Sequence, residues 1–529
     1  MMLKETIKIM TREISCILSD NKSTIYLYGS VVIDDFKLGW SDIDILVLTE
    51  SEVTEEQASK LVNLRQNVLE RYPGNPYFRL FEGGMLSLDA FLSNTKERTV
   101  YWGTSGQRIT DSYKMDSFGM AELLDNGVLL HGDDIRDKMI YPSYAQMRDD
   151  IAWHVQGARK YGVVVGWLLD IARGIYTLRT GKVIAKTAAG EWALENNLCP
   201  DADALEKAIQ CRKEAHLMPE RSIDNFIIQR FADVIDAEFA NTAERFAQSE
   251  LQRMNFAYDT LSLIRNKDGV SVWRVNINNG SVVMKCFDKQ EYRREIVNYQ
   301  LLKSLGIPAL RFIAHTNCSF IMEDIECSKY RLATIEDVSD PKIAIEIARW
   351  YKTLHINGRE HANTHTMFDE CDTITIENIN TIKEKTGTEG LPVWQLIEEK
   401  LDIIRSVAIS LPRTLNYNDF YYTNLVVARD GSSALVFDYN LLGKGYIYSD
   451  IRNVCCSLGN DDAREAFLSE YGNFDENEKL VDDVIDSLYS LYVACQREIF
   501  PNWANNLLEK LKDGTLLAAV EKLLEEVGR

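Results

Sequence analysis

Tyr28-Gly29-Ser30, eleven further residues, and then Asp42-Ile43-Asp44-Ile45-Leu46-Val47 make up the stretch on which the reading of the first half turns. The apolar run Ile43 to Leu48 reads as a strand, and Asp42 and Asp44, two apart, project to one face of it. Thr24 to Tyr28 reads as a shorter strand ahead of a turn at Gly29-Ser30. There a glycine lets backbone amides approach phosphate oxygens, and the Ser30 hydroxyl adds a donor. Nucleotidyl transfer needs divalent ions at a sheet edge, one to activate a hydroxyl and one to neutralise a triphosphate, and paired carboxylates supply the ligands. A third strand is expected over Met85 to Phe91, with Ser87, Asp89 and Phe91 on one face. Asp89 would then complete the ion cage or take the proton of the acceptor hydroxyl; the bland alternative is a surface carboxylate at a strand end.

From about Asp134 to Phe246 the periodicity turns helical, with segments over Tyr144 to Tyr161, Val163 to Thr180, Ala185 to Asn196 and Ile223 to Phe246. The motif around Gly29, Asp42 and Asp44 resembles the nucleotidyltransferase superfamily typified by DNA polymerase beta. The string Ile171-Ala172-Arg173-Gly174-Ile175-Tyr176, then Thr180-Gly181-Lys182 and Lys186 to Leu194, resembles the C-terminal helical domain of streptomycin and spectinomycin adenylyltransferases. That resemblance implies Arg173 and Lys186 as phosphate ligands, with Ser30 and Ser41 beside the metal carboxylates. The family's drug-contacting residues are not recognisable ahead of Trp167, which leaves the acceptor open.

Strand chemistry returns with Ser262 to Ile264, Val270 to Ile277 and Val282 to Phe287, the last two separated by Asn278, Asn279 and Gly280 in the manner of a hairpin. A kinase needs a cation for the nucleotide phosphates, carboxylate and amide oxygens for magnesium, and a carboxylate to orient the acceptor hydroxyl. Lys285 ends a strand, and Glu295, ten residues on, is its expected helical partner, with Glu291 the alternative. Asp419 precedes Asn424 at catalytic-loop spacing, and Asp438 follows the apolar strand Ala434 to Phe437. In this order the set resembles aminoglycoside phosphotransferases and choline kinases. The resemblance implies Asp419 as the base, Asn424 and Asp438 as metal ligands, Asp450 as a brace for the loop, and the segment around Met322 as the lobe linker whose backbone meets adenine. Two departures stand out: Tyr417 and Asn418 occupy positions where that family usually has His and Gly. Only Gly269 represents the glycine loop.

Charge and composition narrow the classes. With 59 Lys and Arg against 80 Asp and Glu, the net charge of -21 opposes phosphate backbones, so no nucleic-acid partner is expected and a cationic small molecule is favoured. Acidity kept merely for solubility accounts for the charge equally well. Ten Cys lie without metal spacing, Cys455-Cys456 in an apolar run, which fits reduced thiols in a reducing cytoplasm. No signal peptide or membrane span is expected. His131 reads as a turn residue; Trp102, Trp153 and Trp167 read as core before acceptor wall; Phe420-Tyr421-Tyr422 offers faces to an ammonium group.

The expected architecture is α+β and multidomain. A nucleotidyltransferase mixed sheet spans 1–135 and a helical bundle completing its site 136–250, followed by a bilobal protein-kinase-like fold with lobes over 251–327 and 328–529. The expected activity is bifunctional: Mg2+- and ATP-dependent O-adenylylation by the first half and O-phosphorylation by the second, GTP being an option in the latter. The acceptor would be an aminoglycoside or aminocyclitol, which makes antibiotic resistance the expected outcome. Alternatives are a metabolite acceptor, or a kinase-like half retained as a nucleotide sensor.

Overall fold

The computed structural model describes residues 2–103, 106–215 and 221–527. Two compact units divide the chain, Met1–Gln252 and Arg253–Arg529.

Unit 1 opens with α1 (Leu3–Ile17), β1 (Ser23–Tyr28), β2 (Ile43–Thr49), α2 (Glu55–Arg71), β3 (Phe81–Ser87), α3 (Leu88–Ser93), β4 (Thr99–Gly103), β5 (Gly106–Thr110), α4 (Ser117–Asn126) and β6 (Val128–His131). The six strands form one mixed sheet in the order β5-β4-β3-β2-β1-β6, in which only the β2–β3 pair is parallel. Period-two alternation assigns the two faces. Ile25, Leu27, Ile43, Ile45 and Val47 pack on one side with Met10 and Ile14 of α1 and Leu61 and Leu64 of α2. Tyr26, Tyr28, Leu46 and Leu48 pack on the other side with Leu123 of α4. Asp42 and Asp44 continue this second row, so the face that is apolar along β2 turns acidic at its N-terminal end.

The rest of unit 1 is helical: α5 (Tyr144–Tyr161), α6 (Gly166–Thr180), α7 (Lys186–Glu195), α8 (Ala202–Lys213), α9 (Asn225–Asn241) and α10 (Ala243–Arg253). Ser143 and Gln146 make a capping box that starts α5, and Gly181, at φ 73°, ends α6 in the left-handed conformation. The single helix expected over Ile223 to Phe246 is two. Thr242 marks the break, its hydroxyl donating to the Glu238 carbonyl at 2.6 Å and accepting from buried Arg148 at 2.8 Å. A buried triad ties this bundle to the sheet: Arg212 of α8 donates to Asp35 in the β1–β2 connection at 2.8 Å, and the Thr187 hydroxyl of α7 donates to the same carboxylate at 2.6 Å.

Unit 2 begins with β7 (Thr260–Lys267), β8 (Val270–Ile277), β9 (Gly280–Phe287), α11 (Arg294–Ser304), β10 (Phe312–His315) and β11 (Ser319–Glu323), a five-stranded sheet ordered β10-β11-β9-β8-β7 with one helix. A mainly helical lobe follows: β12 (Tyr330–Leu332), α12 (Pro341–Thr364), α13 (Ile376–Thr386), α14 (Pro392–Ser410), β13 (Thr414–Asn416), β14 (Leu425–Ala428), β15 (Ala434–Val436), β16 (Gly443–Gly445), α15 (Ile447–Ser457), α16 (Asp461–Tyr471), α17 (Glu476–Cys495), α18 (Asn505–Lys512) and α19 (Thr515–Val527). This is the bilobal arrangement expected of a kinase-like fold. One core runs from Val283 and Phe287 of the sheet through Tyr299 of α11 to Trp350, Leu354 and Leu425 of the helical lobe. A second joins α13, α14, α17 and α19. No helix among the described residues is long and apolar enough to cross a membrane.

Candidate active sites

In unit 1 a cleft of about 250 Å³ opens where the acidic end of β2 meets the helical bundle, and Gly29, Ser30, Ser41, Asp42, Asp44, Arg173 and Lys186 all line it. Gly29 has φ 71°, and a Cβ there would stand 2.2 Å from an Asp44 carboxylate oxygen. Glycine is therefore required for both the turn and the approach of Asp44. The Ser30 hydroxyl reaches the Asp42 carbonyl at 3.5 Å, and Ser41 is fixed by accepting from the Lys37 amide at 3.0 Å.

Asp89 does not stand in the cleft with Asp42 and Asp44. Strand β3 ends at Ser87, whose hydroxyl accepts from the Ala90 amide at 3.1 Å and starts α3. Asp89 lies in that helix's first turn, exposed and outside the cleft. The alternation of Ser87, Asp89 and Phe91 thus belongs to a cap and a helix. Glu82 is the carboxylate that stands beside this pair, opposite Asp44 across the parallel strands. Burial pushes Asp42 up to about 6, and Glu82 adds to the rise by charge and by a hydrogen bond. Tyr101 donates to Glu82 at 2.9 Å. The signal for Glu82 was masked by Gly83-Gly84, which reads as a turn. In the fold Gly83 has φ 148° and a Cβ on it would collide with the Ile45 carbonyl, so Gly83 lets β2 and β3 come together, while Gly84 makes room for the Tyr113 ring.

Burial pushes Asp44 up to about 8, with Asp42, Glu122 and Glu82 adding to it. Uncompensated negative charge of this kind fits a divalent cation. No group of three His, Cys, Asp or Glu among the described residues closes a cage by itself. Arg173 and Lys186 are engaged with acids. Arg173 lies 3.3 Å from Glu122 and 3.8 Å from Asp170, and Lys186 lies 2.6 Å from Asp170. Burial works to raise Asp170, but Lys186 and Arg173 outweigh it and hold the carboxyl below its usual range. Beside Arg173 a smaller pocket runs between α5 and α6, walled by Asp116, His154, Trp167 and Asp170. Trp102, by contrast, is core: fully buried, it donates to the Leu61 carbonyl at 3.1 Å. Trp153 is exposed.

In unit 2 the cleft between sheet and helical lobe takes in Lys285, Glu295, Asp438 and Asn440. Lys285 sits 2.7 Å from Glu295 and 3.4 Å from Asp438. Burial would lower its pKa, but those two carboxylates more than offset this, so the ammonium is retained. Glu291 is exposed in the preceding turn. Asn424 donates to the Asp419 carboxylate at 3.0 Å, and burial with the charge of Asp438 pushes Asp419 up to about 6. Asp438 has φ 66°.

The two departures in the loop find physical explanations. Asn418 has φ 65°, a left-handed conformation that Asn tolerates better than any residue but Gly. The Tyr417 hydroxyl donates to the Phe437 carbonyl at 2.5 Å, tying the loop to the residue ahead of Asp438. Asp450 accepts from the Tyr417 amide at 2.8 Å and the Asn418 amide at 3.1 Å, and it also meets His355 at 3.1 Å. His355 was not legible as part of this site, since it lies far upstream inside an ordinary amphipathic helix. The side chain of Met322 is buried, its sulfur 3.6 Å from the Tyr299 hydroxyl, and Met322 is paired within the sheet with Phe312 on one side and Val283 on the other. Phe420 is buried; Tyr421 is exposed and stands against Tyr422 at 4.8 Å between ring centres.

Comparison with known proteins agrees with this division. The profile described as nucleotidyltransferase domain matches residues 7–78. The profile described as aminoglycoside adenylyltransferase, C-terminal domain, matches residues 140–236. Unit 1 thus carries a nucleotidyltransferase domain followed by an adenylyltransferase-type helical domain, and the chain is a transferase. No curated protein matches the chain. Among solved structures, a choline kinase from Streptococcus pneumoniae is 15% identical over 53% of this chain and 99% of its own, with a TM-score of 0.37. A spectinomycin adenyltransferase from Enterococcus faecialis, solved with ATP and spectinomycin, is 16% identical over 44% of this chain and 99% of its own, with a TM-score of 0.35. A macrolide 2'-phosphotransferase from Brachybacterium faecium is 14% identical over 49% of this chain and 96% of its own, also with a TM-score of 0.35.

Proposed function

We propose that the chain is a bifunctional small-molecule-modifying enzyme in which unit 1 adenylylates and unit 2 phosphorylates a hydroxyl of an aminoglycoside or aminocyclitol, each with Mg-ATP. The observation that carries the reading is that each unit brings its own carboxylates and its own phosphate-directed cations into a separate cleft. In unit 1, Asp42 and Asp44 would hold the ion, which would polarise the triphosphate when bound. Ser30, Ser41, Arg173 and Lys186 would bind the phosphates, and Glu82 would take the acceptor's proton as its oxygen attacks the α-phosphorus and pyrophosphate leaves. In unit 2, Asn424 and Asp438 would hold the ion and Lys285 the phosphates. Asp419 would take the proton as the acceptor oxygen attacks the γ-phosphorus and the nucleoside diphosphate leaves, ADP where ATP is the donor and GDP where GTP is.

A cationic acceptor suits both clefts. In unit 1 the side pocket presents Asp116, Asp170 and Trp167. In unit 2 burial pushes Glu370 up to about 8 against the opposing pull of Arg452, and Tyr489 feels the charge of both Glu370 and Asp419. An ammonium group arriving there would relieve buried acids and meet an aromatic wall. The ten cysteines, none in a disulfide, suit a reducing cytoplasm, where such an enzyme would confer resistance.

The test is product mass after incubation of the purified chain with Mg-ATP and a panel of aminoglycosides and aminocyclitols. An added AMP marks the first reaction and an added phosphate the second. Absence of both across the panel sinks the proposal.

A further inference from the structure

Kinase-like clefts usually cover the nucleotide phosphates with a wide glycine-rich loop between the first two strands, using its backbone amides. The corresponding connection here is built differently. Strands β7 and β8 are joined by Asp268 and Gly269 alone, both left-handed at φ 56° and 84°, which is a tight two-residue hairpin turn. The flanking residues Lys267 and Val270 are already paired in the ladder. A turn of this size has neither the length nor the spare amides to wrap a triphosphate.

Side chains stand where the amides would be. The ladder between β7 and β8 shifts by one residue between Leu263, opposite Trp273, and Arg265, opposite Val272. In an unshifted register Arg265 would stand opposite Ser271, on the other face. The bulge therefore turns Arg265 and Lys267 to the side of Val272 and Val270. Across the next ladder Val272 pairs with Lys285 and Val270 with Phe287. Two cross-strand rows result, Arg265–Val272–Lys285 and Lys267–Val270–Phe287, and all six residues line the cleft of about 220 Å³ that also holds Asp438. Asp268 lies 3.8 Å from Lys267, but both side chains are mostly exposed, so this pair is weak and exchangeable.

We infer that Arg265 and Lys267 grip the terminal phosphates of the nucleotide in unit 2, replacing the amides of a glycine-rich loop. The inference rests on the reading of unit 2 as a nucleotide-binding kinase. The two valines form the apolar roof over the base, and three cations on one sheet face meet the triphosphate. A guanidinium offers paired donors to a phosphate that no single amide supplies.

Hydrogen exchange followed by mass spectrometry on the full chain reads this cleft separately from the one in unit 1, through peptides covering 270–287. Titration with MgATP and, separately, with adenosine gives an apparent affinity for each ligand. In the Arg265→Gln/Lys267→Gln variant, the MgATP concentration needed for half protection should rise about tenfold or more while that for adenosine stays within about twofold. Equal weakening of both ligands would show a general loss of the sheet face and overturn the inference, as would an unchanged MgATP titration. If the unaltered chain shows no MgATP protection of these peptides, the kinase reading itself falls and takes the inference with it.

Discussion

The two clefts hold their phosphate-directed cations in opposite ways. In unit 2, Lys285 is fixed on Glu295 at 2.7 Å and leans toward Asp438 at 3.4 Å, so on the proposed reading it would meet the phosphates already oriented. In unit 1, Lys186 and Arg173 rest on Asp170 and Glu122, carboxylates that a triphosphate would have to displace or share. Meanwhile the charge of Asp42 adds to the rise of Asp44, and Lys186 opposes it only in part. The cation of the second cleft is held in place by its own acids, while the carboxylates of the first raise one another and are only partly offset. Preorganised donors need no rearrangement at the moment of reaction, whereas a frustrated site gains more when its ions arrive.

The sharpest break of this comparison is a pair of single substitutions. Asp42→Asn should lower AMP transfer by about a thousandfold or more and leave phosphoryl transfer within about twofold; Asp438→Asn should do the converse. Parallel assays of both products on each variant decide it. If either change silences both reactions, the two clefts do not act as separate catalysts.

Next in size come the partners of the cations. Glu295→Gln removes the charge that keeps Lys285 in place and should cut phosphoryl transfer about tenfold. Glu122→Gln in unit 1 releases Arg173 for phosphate and eases the rise in Asp44, so the KM for ATP in adenylylation should fall, by about two- to fivefold. A rise in that KM would mean that Glu122 orients Arg173 productively, and the contrast between the clefts would be lost.

These partnerships were only partly legible in the sequence. That Gly29, Ser30, Asp42 and Asp44 share one cleft was legible because the whole motif lies within seventeen residues on adjacent strands, so that spacing carries geometry. The order of Lys285, Glu295, Asp419, Asn424 and Asp438 was readable for a similar reason, each being tied to the end of a recognisable element. The place of Glu82 beside Asp44 was not, since its strand contains Gly83, needed for close approach to β2, and Gly84, needed for the Tyr113 ring, and glycine pairs look like turns. The ion pair of Arg173 with Glu122 joins α6 to α4 across a long stretch of chain, and that of Lys186 with Asp170 depends on how the consecutive helices α6 and α7 pack, so no local pattern reports either. The β7 bulge that turns Arg265 into its cleft is a one-residue slip of register, invisible to alternation in a strand this polar.

The response to pH should follow from the same frustration. Asp42 and Asp44 are pushed up to about 6 and about 8 from an ordinary 3.8, so the folded protein prefers their neutral forms. Their favourable share of stability is complete below the unfolded value and is lost as pH rises through the folded values. Without Mg2+, the melting of unit 1 should therefore shift down by a few degrees between pH 5 and pH 8, and Mg-ATP should flatten that slope. Calorimetry with and without Mg-ATP checks this. A rise in stability over the same range would show that the carboxylates are already compensated.

The smallest expected effect belongs to the residue on which sequence and structure disagree. Asp89 is exposed in the first turn of α3, and Ser87 rather than Asp89 caps that helix, so Asp89→Ala should leave AMP transfer within about twofold and stability within about 0.5 kcal/mol. Glu82→Gln, opposite Asp44 on β3, should lower AMP transfer by about a hundredfold or more, in the range of a positioned acid or base. Steady-state kinetics of the two variants side by side separates the positions. Were Asp89 to matter and Glu82 not, β3 would have to extend past Ser87 in the working enzyme, and the acidic face would begin on a different row of the sheet.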